Sequence, residues 1–161
     1  MANFKTEFYL KLILIISLVS IISAYFIEYV LGYQPCNLCL IERIPYGLSI
    51  ILITLSYFYK KNEKFIILLL ILTFFFSFAI SAYHLGIEQG LFEESAVCGL
   101  KNTTGIISKE ELLKQLQEKT ISCKDVTFRI FGLSLTSINI ILSLILITLL
   151  TKIYISYEKN K

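Results

Sequence analysis

The chain carries the stretch PCNLCLIER at positions 35–43, between two apolar runs that are each long enough to form a membrane-spanning helix. Its two cysteines, Cys36 and Cys39, form a CxxC pair where the first run has ended and the second is about to begin. Glu42 and Arg43 follow directly on the next turn of chain. A dithiol with a fixed cation beside it, at the edge of a membrane, indicates redox chemistry that exchanges electrons with a lipid-soluble partner.

The overall composition is that of a polytopic membrane protein. The chain has 161 residues, of which 56% are hydrophobic, and its mean hydropathy is +0.73. We expect one membrane domain over residues 1–161. The net charge of +3 is small and the basic residues are scattered, so the sequence does not predict a nucleic-acid-binding face. A single His and no Trp leave few options for metal chemistry, and we predict no metal.

Four segments are long and apolar enough to span a bilayer, which takes about 20 residues. They cover about residues 12–31, 41–59, 65–83 and 131–150. The predicted fold is therefore an all-α integral membrane protein, an antiparallel bundle of four transmembrane helices. The first segment is too long for the apolar part of a signal peptide and lacks a clear A-x-A cleavage site.

The basic residues predict the orientation of the bundle, because Lys and Arg tend to stay cytoplasmic. The two termini and the turn at 60–64 hold eight of them in short segments. The opposite loops, about 32–43 and 84–130, hold seven, and six of these are diluted along the long loop among a similar number of acids. We infer that both termini are cytoplasmic. All four cysteines then lie outside, where disulfides persist.

The long loop contains one segment with helical character. The sequence SKEE at 108–111 is a capping box, and a narrow apolar stripe follows it. We expect a short amphipathic helix over about 109–119 that lies on the membrane surface. A solvated helix without membrane contact is the alternative.

The cysteines admit several uses. Four exported cysteines commonly form structural disulfides. A CxxC disulfide closes a small ring and gives little loop-entropy stabilisation, so it suits a bond that is made and broken. Zinc is the competing use, but Cys98 and Cys123 are far apart in sequence and the chain has one His, so a site of all four thiolates remains open. Covalent haem is excluded because Leu40 follows Cys39 where His is required.

Three charged or polar groups near the CxxC are candidate site residues. Arg43 lies at a helix start, where the dipole does not favour a cation, so we expect it to hold a thiolate or a quinone oxygen rather than only to anchor the interface. The simplest role for Glu42 is to pair with Arg43. His84 lies at the outer end of the third span and should face the same surface as the CxxC, with a polar anchor as the alternative. Glu28 is interpreted as a snorkelling or paired residue.

The chain resembles the DsbB family of quinone-dependent membrane oxidases. The resemblance covers nearly the whole chain and rests on the four spans, on PCNLCLIER, on AYHLGIEQ at 82–89 and on the run from 123 to 135. It implies a protein of the bacterial inner membrane that re-oxidises a DsbA-like periplasmic thiol oxidase. The electrons would pass to the quinone pool in the membrane lipid, with ubiquinone or menaquinone as cofactor. A sister branch, the DsbI-type proteins, shares this core and has a dedicated thiol partner, so the partner stays open.

The resemblance also implies a role for each cysteine. Cys98 and Cys123 form the disulfide presented to the partner, and Cys98 is the sulfur attacked. Cys123 then exchanges with Cys36, and Cys39 becomes the thiolate in contact with quinone. DsbA is strongly oxidising, at about −120 mV, so we expect the loop disulfide to be labile and exposed on a flexible segment.

The implied quinone site includes Arg43, with Glu42, His84 and Leu135 nearby. Two positions depart from the family pattern. Phe128 stands where a Trp is common, and Leu135 where a Met is common. Neither is a redox residue, but both leave the choice of quinone undetermined.

Two other functions remain as alternatives. The first is a four-span scaffold or transport subunit with two structural disulfides. The second is a quinone reductase of the vitamin-K-epoxide-reductase type, which also couples CxxC to quinone in a small helical bundle. The position of the CxxC between the first two spans, followed by Glu-Arg, favours the DsbB pattern.

Overall fold

The structure is a computed structural model that describes residues 2–59, 62–94, 98, 122–124, 128–130 and 132–159. The helices in these parts of the chain are α1 (Ala2–Tyr29), α2 (Asn37–Ile41), α3 (Ile44–Phe58), α4 (Glu63–Glu88) and α5 (Leu135–Lys159). A two-stranded antiparallel hairpin, β1 (Arg129–Ile130) and β2 (Leu133–Ser134), precedes α5. The surface helix predicted over about 109–119 lies outside the described residues.

The predicted all-α membrane fold is confirmed. Among the described residues, four helical segments are long and apolar enough to cross a membrane: Thr6–Tyr29, Asn37–Phe58, Glu63–Glu88 and Leu135–Ser156. Large apolar side chains such as Phe8, Ile22 and Phe75 point outward and are more than half exposed. Lipid tails solvate such side chains, so this surface fits a bilayer.

Some helices end at a different residue from the apolar runs that predicted them, because polar side chains at these ends face the protein interior. α4 continues past Tyr83 to Glu88 and ends in a Schellman motif, with Leu91 N–H bonded to Gly86 O at 2.8 Å and Gly90 at φ 75°. The apolar run stops earlier because the last turn carries His84 and Glu88, which face protein rather than lipid.

The second and fourth spans also begin differently in the structure from the way the sequence predicted. Glu42 and Arg43 interrupt the second span between α2 and α3, and Pro45 occupies the first turn of α3. The fourth helix begins at Leu135 rather than near 131, because residues 129–130 and 133–134 form the hairpin. Ser134 then caps α5, accepting a 3.2 Å bond from the backbone N–H of Ser137.

The helices form a closed ring. α1 packs on α3, α3 on α4, and α4 most extensively on α5, while α5 meets α1 less closely. Serines on facing helices hydrogen-bond across two of these interfaces, Ser49 to Ser17 at 2.8 Å and Ser143 to Ser77 at 3.1 Å. All four are fully buried, and the small residues at 17 and 77 allow the helices to approach closely.

The apolar core and the cysteines occupy opposite ends of the bundle. Most of the core comes from the first half of α1 and α4 and the second half of α3 and α5, with Ile13, Ile53, Phe74 and Leu150 among its most buried members. Tyr46, in the first turn of α3, also belongs to it. A second, smaller cluster at the other end contains Cys36 and the cysteines of the long loop. The polar side chains described below lie at this cysteine end.

Candidate active site

The CxxC pair begins the short helix α2. Cys36 is the N-cap residue with an extended backbone (φ −73°, ψ 167°), and its sulfur accepts a bond from the backbone N–H of Cys39 at 3.3 Å. Cys36 is buried, Cys39 is half-buried, and both are free thiols. Helical spacing of three residues therefore places the two sulfurs on one side of the turn.

His84 lies against the CxxC from α4. Its Nε2 is 3.6 Å from the Cys36 sulfur, and its Nδ1 is 2.9 Å from Glu42 Oε1. The Thr136 hydroxyl is 3.2 Å from the same Nδ1, and Glu88 Oε1 is 3.9 Å from Nε2. The imidazole is 2% exposed, so these protein groups form its surroundings.

Asn139 completes the arrangement from α5. Its amide nitrogen donates to Glu42 Oε2 at 3.1 Å and to Ser81 Oγ at 2.7 Å, and its oxygen accepts a bond from the Tyr46 hydroxyl. Both carboxylate oxygens of Glu42 are thus held. The sequence analysis did not single out Asn139, although an amide inside an apolar span is a signal of function.

The surroundings of Cys36 favour its thiolate. A hydrogen bond from the Cys39 thiol and the neighbouring His84 ring lower the pKa of Cys36 to about 5, against the opposing effect of burial. Cys36 therefore holds a thiolate at neutral pH in the dithiol state.

Arg43 pairs with α1 and not with its neighbour. Its guanidinium lies 2.5 Å from Glu28 Oε2 and 5.1 Å from the ring centroid of Tyr25. The predicted pairing of Glu42 with Arg43 is wrong, because the turn between α2 and α3 sends Glu42 inward to His84 and Arg43 outward to α1. Glu28 was interpreted from the sequence as a snorkelling or a paired residue, and the structure shows it paired with Arg43.

A cavity of about 330 Å³ lies between α1, α2, the start of α3 and the first turns of α5. Its walls are mostly apolar, and Cys39, Glu42, Arg43 and Leu135 all line it. Phe128 also lines it and packs on Tyr33, with ring centroids 5.0 Å apart. The volume and lining are those of a small-molecule site, an apolar pocket with a few polar groups.

The structure brings the predicted site residues together at one end of the bundle, with one difference in arrangement. His84 lies behind Glu42 and contacts the CxxC, while Glu42 is the group that faces the cavity. The cavity-lining residues that the sequence analysis missed include Thr136, Asn139 and Tyr33. For Thr136 and Tyr33 the sequence offered no signal, because both are ordinary residues at span ends.

The second cysteine pair is a buried disulfide. Cys98 and Cys123 are joined, with their Cα atoms 5.4 Å apart, and they are 3% and 2% exposed. The expectation of an exposed disulfide is wrong, because the pair packs on Cys36, Leu38 and Ile87 at the end of the bundle. Its burial against Cys36 places the two redox pairs in one cluster.

The segment that carries Cys123 is anchored on both sides. The Glu94 carboxylate accepts bonds from the Ser122 hydroxyl and, at 3.1 Å, from the backbone N–H of Lys124. Glu94 itself is exposed, as is Lys124. These bonds hold the disulfide against the bundle from its solvent side.

The CxxC sulfurs and the His84 ring lie within 4.8 Å of one another, a spacing that a metal site also needs. A structural zinc site takes four ligands, and the described residues supply three here. The site of all four thiolates that the sequence left open does not form, since Cys98 and Cys123 are bonded to each other. We interpret the cluster as a thiol–imidazole pair beside a second thiol.

A CxxC dithiol, an adjacent buried disulfide and a four-helix membrane bundle together define a membrane thiol–disulfide oxidoreductase. The chain belongs to the family of the disulfide bond formation protein DsbB, which it matches over residues 6–153. It is similar to the uncharacterized protein RP370 of Rickettsia prowazekii (strain Madrid E), with 31% identity over 157 residues that cover 94% of this chain and 90% of that protein. No solved structure matches the chain.

Proposed function

We propose that this protein is a quinone-dependent disulfide oxidase that re-oxidises a DsbA-like thiol oxidase. The observation that supports this function best is that Cys39 and Arg43 line the same apolar cavity. The cavity fits a quinone, because its apolar walls suit a ring and an isoprenoid tail while the guanidinium suits a ring oxygen. A bound quinone supplies an acceptor for two electrons and two protons.

The cysteines provide a path for electrons from a soluble thiol to this cavity. A partner thiolate attacks Cys98, which breaks the Cys98–Cys123 bond and releases the Cys123 thiolate. Cys123 then attacks an oxidised Cys36–Cys39 pair at Cys36, which leaves Cys39 as the thiolate at the cavity. The partner's second thiol attacks the partner–Cys98 bond and releases the oxidised partner. The Cys98 thiolate then attacks Cys123, which re-forms the Cys98–Cys123 disulfide and leaves Cys36 and Cys39 both reduced. The packing of Cys98 and Cys123 on Cys36 supports the second exchange, since little motion is needed to bring these sulfurs together.

The first exchange needs a change in the loop. In the structure both sulfurs of the loop disulfide are buried, and an attacking thiolate must approach one sulfur directly. We expect partner binding to lift the Cys123 segment from the bundle end, against the two bonds to Glu94.

We place the cysteine end outside the cytoplasm, in a bacterial inner membrane with both termini inside. The basic residues support this orientation, because the termini and the 60–64 turn carry eight in short segments. A membrane-impermeant thiol reagent added to reduced spheroplasts should label Cys39. Labelling only after lysis would contradict the orientation.

The decisive test is to mix the purified protein with quinone and a reduced DsbA-like partner and to follow quinone absorbance. We expect oxidised quinone to disappear with the wild type and to persist with Cys39→Ser. Cys98→Ser should block turnover with the partner and retain it with a small dithiol, which separates partner exchange from quinone reduction. A four-span scaffold with structural disulfides would leave quinone unchanged with either thiol, and that result would end the proposal.

A further inference from the structure

The geometry points to His84 and Glu42 as a proton relay that connects the Cys36 sulfur to the cavity. This inference rests on the proposed function, because it assigns the path by which protons from the CxxC dithiol reach the acceptor. The relay has three links, each made by described side chains: Cys36 to His84, His84 to Glu42, and Glu42 to the cavity.

The first link joins a thiol to an imidazole away from bulk water. The Cys36 sulfur and His84 Nε2 are 3.6 Å apart, and the two residues are 6% and 2% exposed. A proton that leaves Cys36 in this environment has a protein acceptor within reach, and imidazole is the commonest group for such transfer.

The second link uses the other nitrogen of the same ring. His84 Nδ1 is 2.9 Å from Glu42 Oε1, so one imidazole touches a thiol on one side and a carboxylate on the other. Because the two ring nitrogens are distinct sites, a proton accepted at Nε2 allows the proton at Nδ1 to move on to Glu42.

The third link brings the carboxyl group to the cavity. Glu42 is the single carboxyl group among the cavity-lining residues that the structure describes. Its Oε2 accepts a 3.1 Å bond from Asn139, which fixes the plane of the carboxylate between His84 and the cavity. Glu88 also approaches His84, at 3.9 Å, but it does not line the cavity and instead accepts a bond from Thr136.

The relay accounts for the proton balance of the reaction. Closing the Cys36–Cys39 disulfide from the dithiol forms one S–S bond and releases two electrons and two protons. One proton belongs to Cys39, which faces the cavity directly. The other has already left Cys36 for Nε2 of His84, because Cys36 holds a thiolate in the dithiol state. When the disulfide closes, the proton at Nδ1 of this imidazole moves to Glu42, which delivers it to the cavity. Two electrons and two protons convert a quinone to a quinol, so no further reactant is needed.

The substitution Glu42→Gln tests the relay, since Gln preserves the size of the side chain but cannot carry the proton. We expect quinol formation to slow by about 100-fold with a small change in the quinone KM, the magnitude typical of a lost proton-transfer group. Glu93→Gln is the control for the chemical change, because Glu93 is an exposed glutamate that does not line the cavity. It should stay within about threefold of the wild type, and Glu42→Asp should recover part of the rate.

A second measurement does not depend on quinone. In quinone-free protein, the infrared difference spectrum between the dithiol and the disulfide should contain a carboxyl band. The band should be present in the wild type and Glu93→Gln and absent in Glu42→Gln. If Glu42→Gln reduces quinone at the wild-type rate and leaves this spectrum unchanged, the relay is overturned while the oxidase function stands. If the wild type itself fails to reduce quinone and the band is still present, the oxidase proposal fails and the protonation of Glu42 stands.

Discussion

The Arg43 guanidinium at the start of α3 forms an ion pair of 2.5 Å with the Glu28 carboxylate on α1. The side chains are 17% and 20% exposed, so the pair lies partly within the protein. Arg43 lines the cavity. Tyr25, one turn earlier on α1, places its ring 5.1 Å from the same guanidinium. Two residues of α1 therefore fix the direction of a cation that belongs to another helix.

Loss of the guanidinium should weaken quinone binding more than it weakens cysteine chemistry. We expect Arg43→Ala to raise the quinone KM by about 10- to 100-fold, which corresponds to one charge-assisted hydrogen bond. The four sulfurs should still pair, as gel-shift thiol counting can show. Arg129→Ala is the control, because Arg129 is an exposed arginine on the adjacent hairpin, and it should leave the KM unchanged. A normal KM in Arg43→Ala would refute the assigned role.

Glu28 should act through Arg43. We expect Glu28→Gln to raise the quinone KM by about 3- to 10-fold, less than Arg43→Ala, because Tyr25 still holds the guanidinium. The double variant should be no worse than Arg43→Ala alone, since residues in direct contact are non-additive. Steady-state kinetics on the wild type, the two single variants and the double variant measure the quinone KM. Additive effects on KM would show that Glu28 acts independently of Arg43.

Cys36 should remain a thiolate well below neutral pH. Its pKa is lowered to about 5 by the Cys39 thiol and by His84, so the thiolate predominates above that pH and is protonated as the pH falls through it. The ultraviolet absorbance of the thiolate, taken as the difference from Cys36→Ser, should lose half its amplitude near pH 5. His84→Gln should move the midpoint upward. A midpoint near the ordinary thiol value would contradict the assigned contacts.

Glu94 should slow access to the loop disulfide. Its removal breaks the bonds from the Ser122 hydroxyl and the Lys124 backbone N–H on either side of Cys123, while the Lys124 N–H keeps its 3.1 Å bond to Ser122 Oγ. Each such bond contributes about 0.5–1.5 kcal/mol, so we expect Glu94→Ala to speed reduction of the disulfide by a thiol partner by about 3- to 10-fold. Stopped-flow reduction measures the rate. Glu93→Ala is the control, because Glu93 is the exposed neighbour of Glu94, and its disulfide should be reduced at the wild-type rate.

Asn139 should stabilise the cysteine end of the bundle. Asn139→Ala removes bonds to Tyr46 on α3, to Ser81 on α4 and to Glu42 in the turn between α2 and α3. Interhelical bonds in membrane proteins contribute modestly, so we expect a loss of about 1–3 kcal/mol in the free energy of unfolding. Thr148→Ala is the control on the same helix, because Thr148 is exposed and bonds only to the Leu144 carbonyl among its described contacts. Equal stability of the two variants in detergent-induced unfolding would contradict this role.

The amino-acid sequence alone determined the features that depend on short stretches of chain. The length and apolarity of four runs predicted the membrane bundle, because spanning a bilayer is a property of each segment by itself. The spacing of Cys36 and Cys39 likewise predicted a reactive dithiol, because three residues of helix bring the two sulfurs together. Arg43 was singled out from its position at a helix start beside the CxxC and Leu135 from the family resemblance, and both line the cavity.

Only the tertiary structure decided which distant groups meet. Cys36 and His84 are 48 residues apart, and Glu42 and Asn139 are 97 apart. These contacts depend on how each helix is rotated and on which helices are neighbours in the ring, and apolar runs carry little information on either point. The rotation of these helices also places Arg43 beside Glu28 rather than beside Glu42. Burial of Cys98 and Cys123 followed from packing at the bundle end, since charge and chain length alone do not specify where a long loop comes to rest.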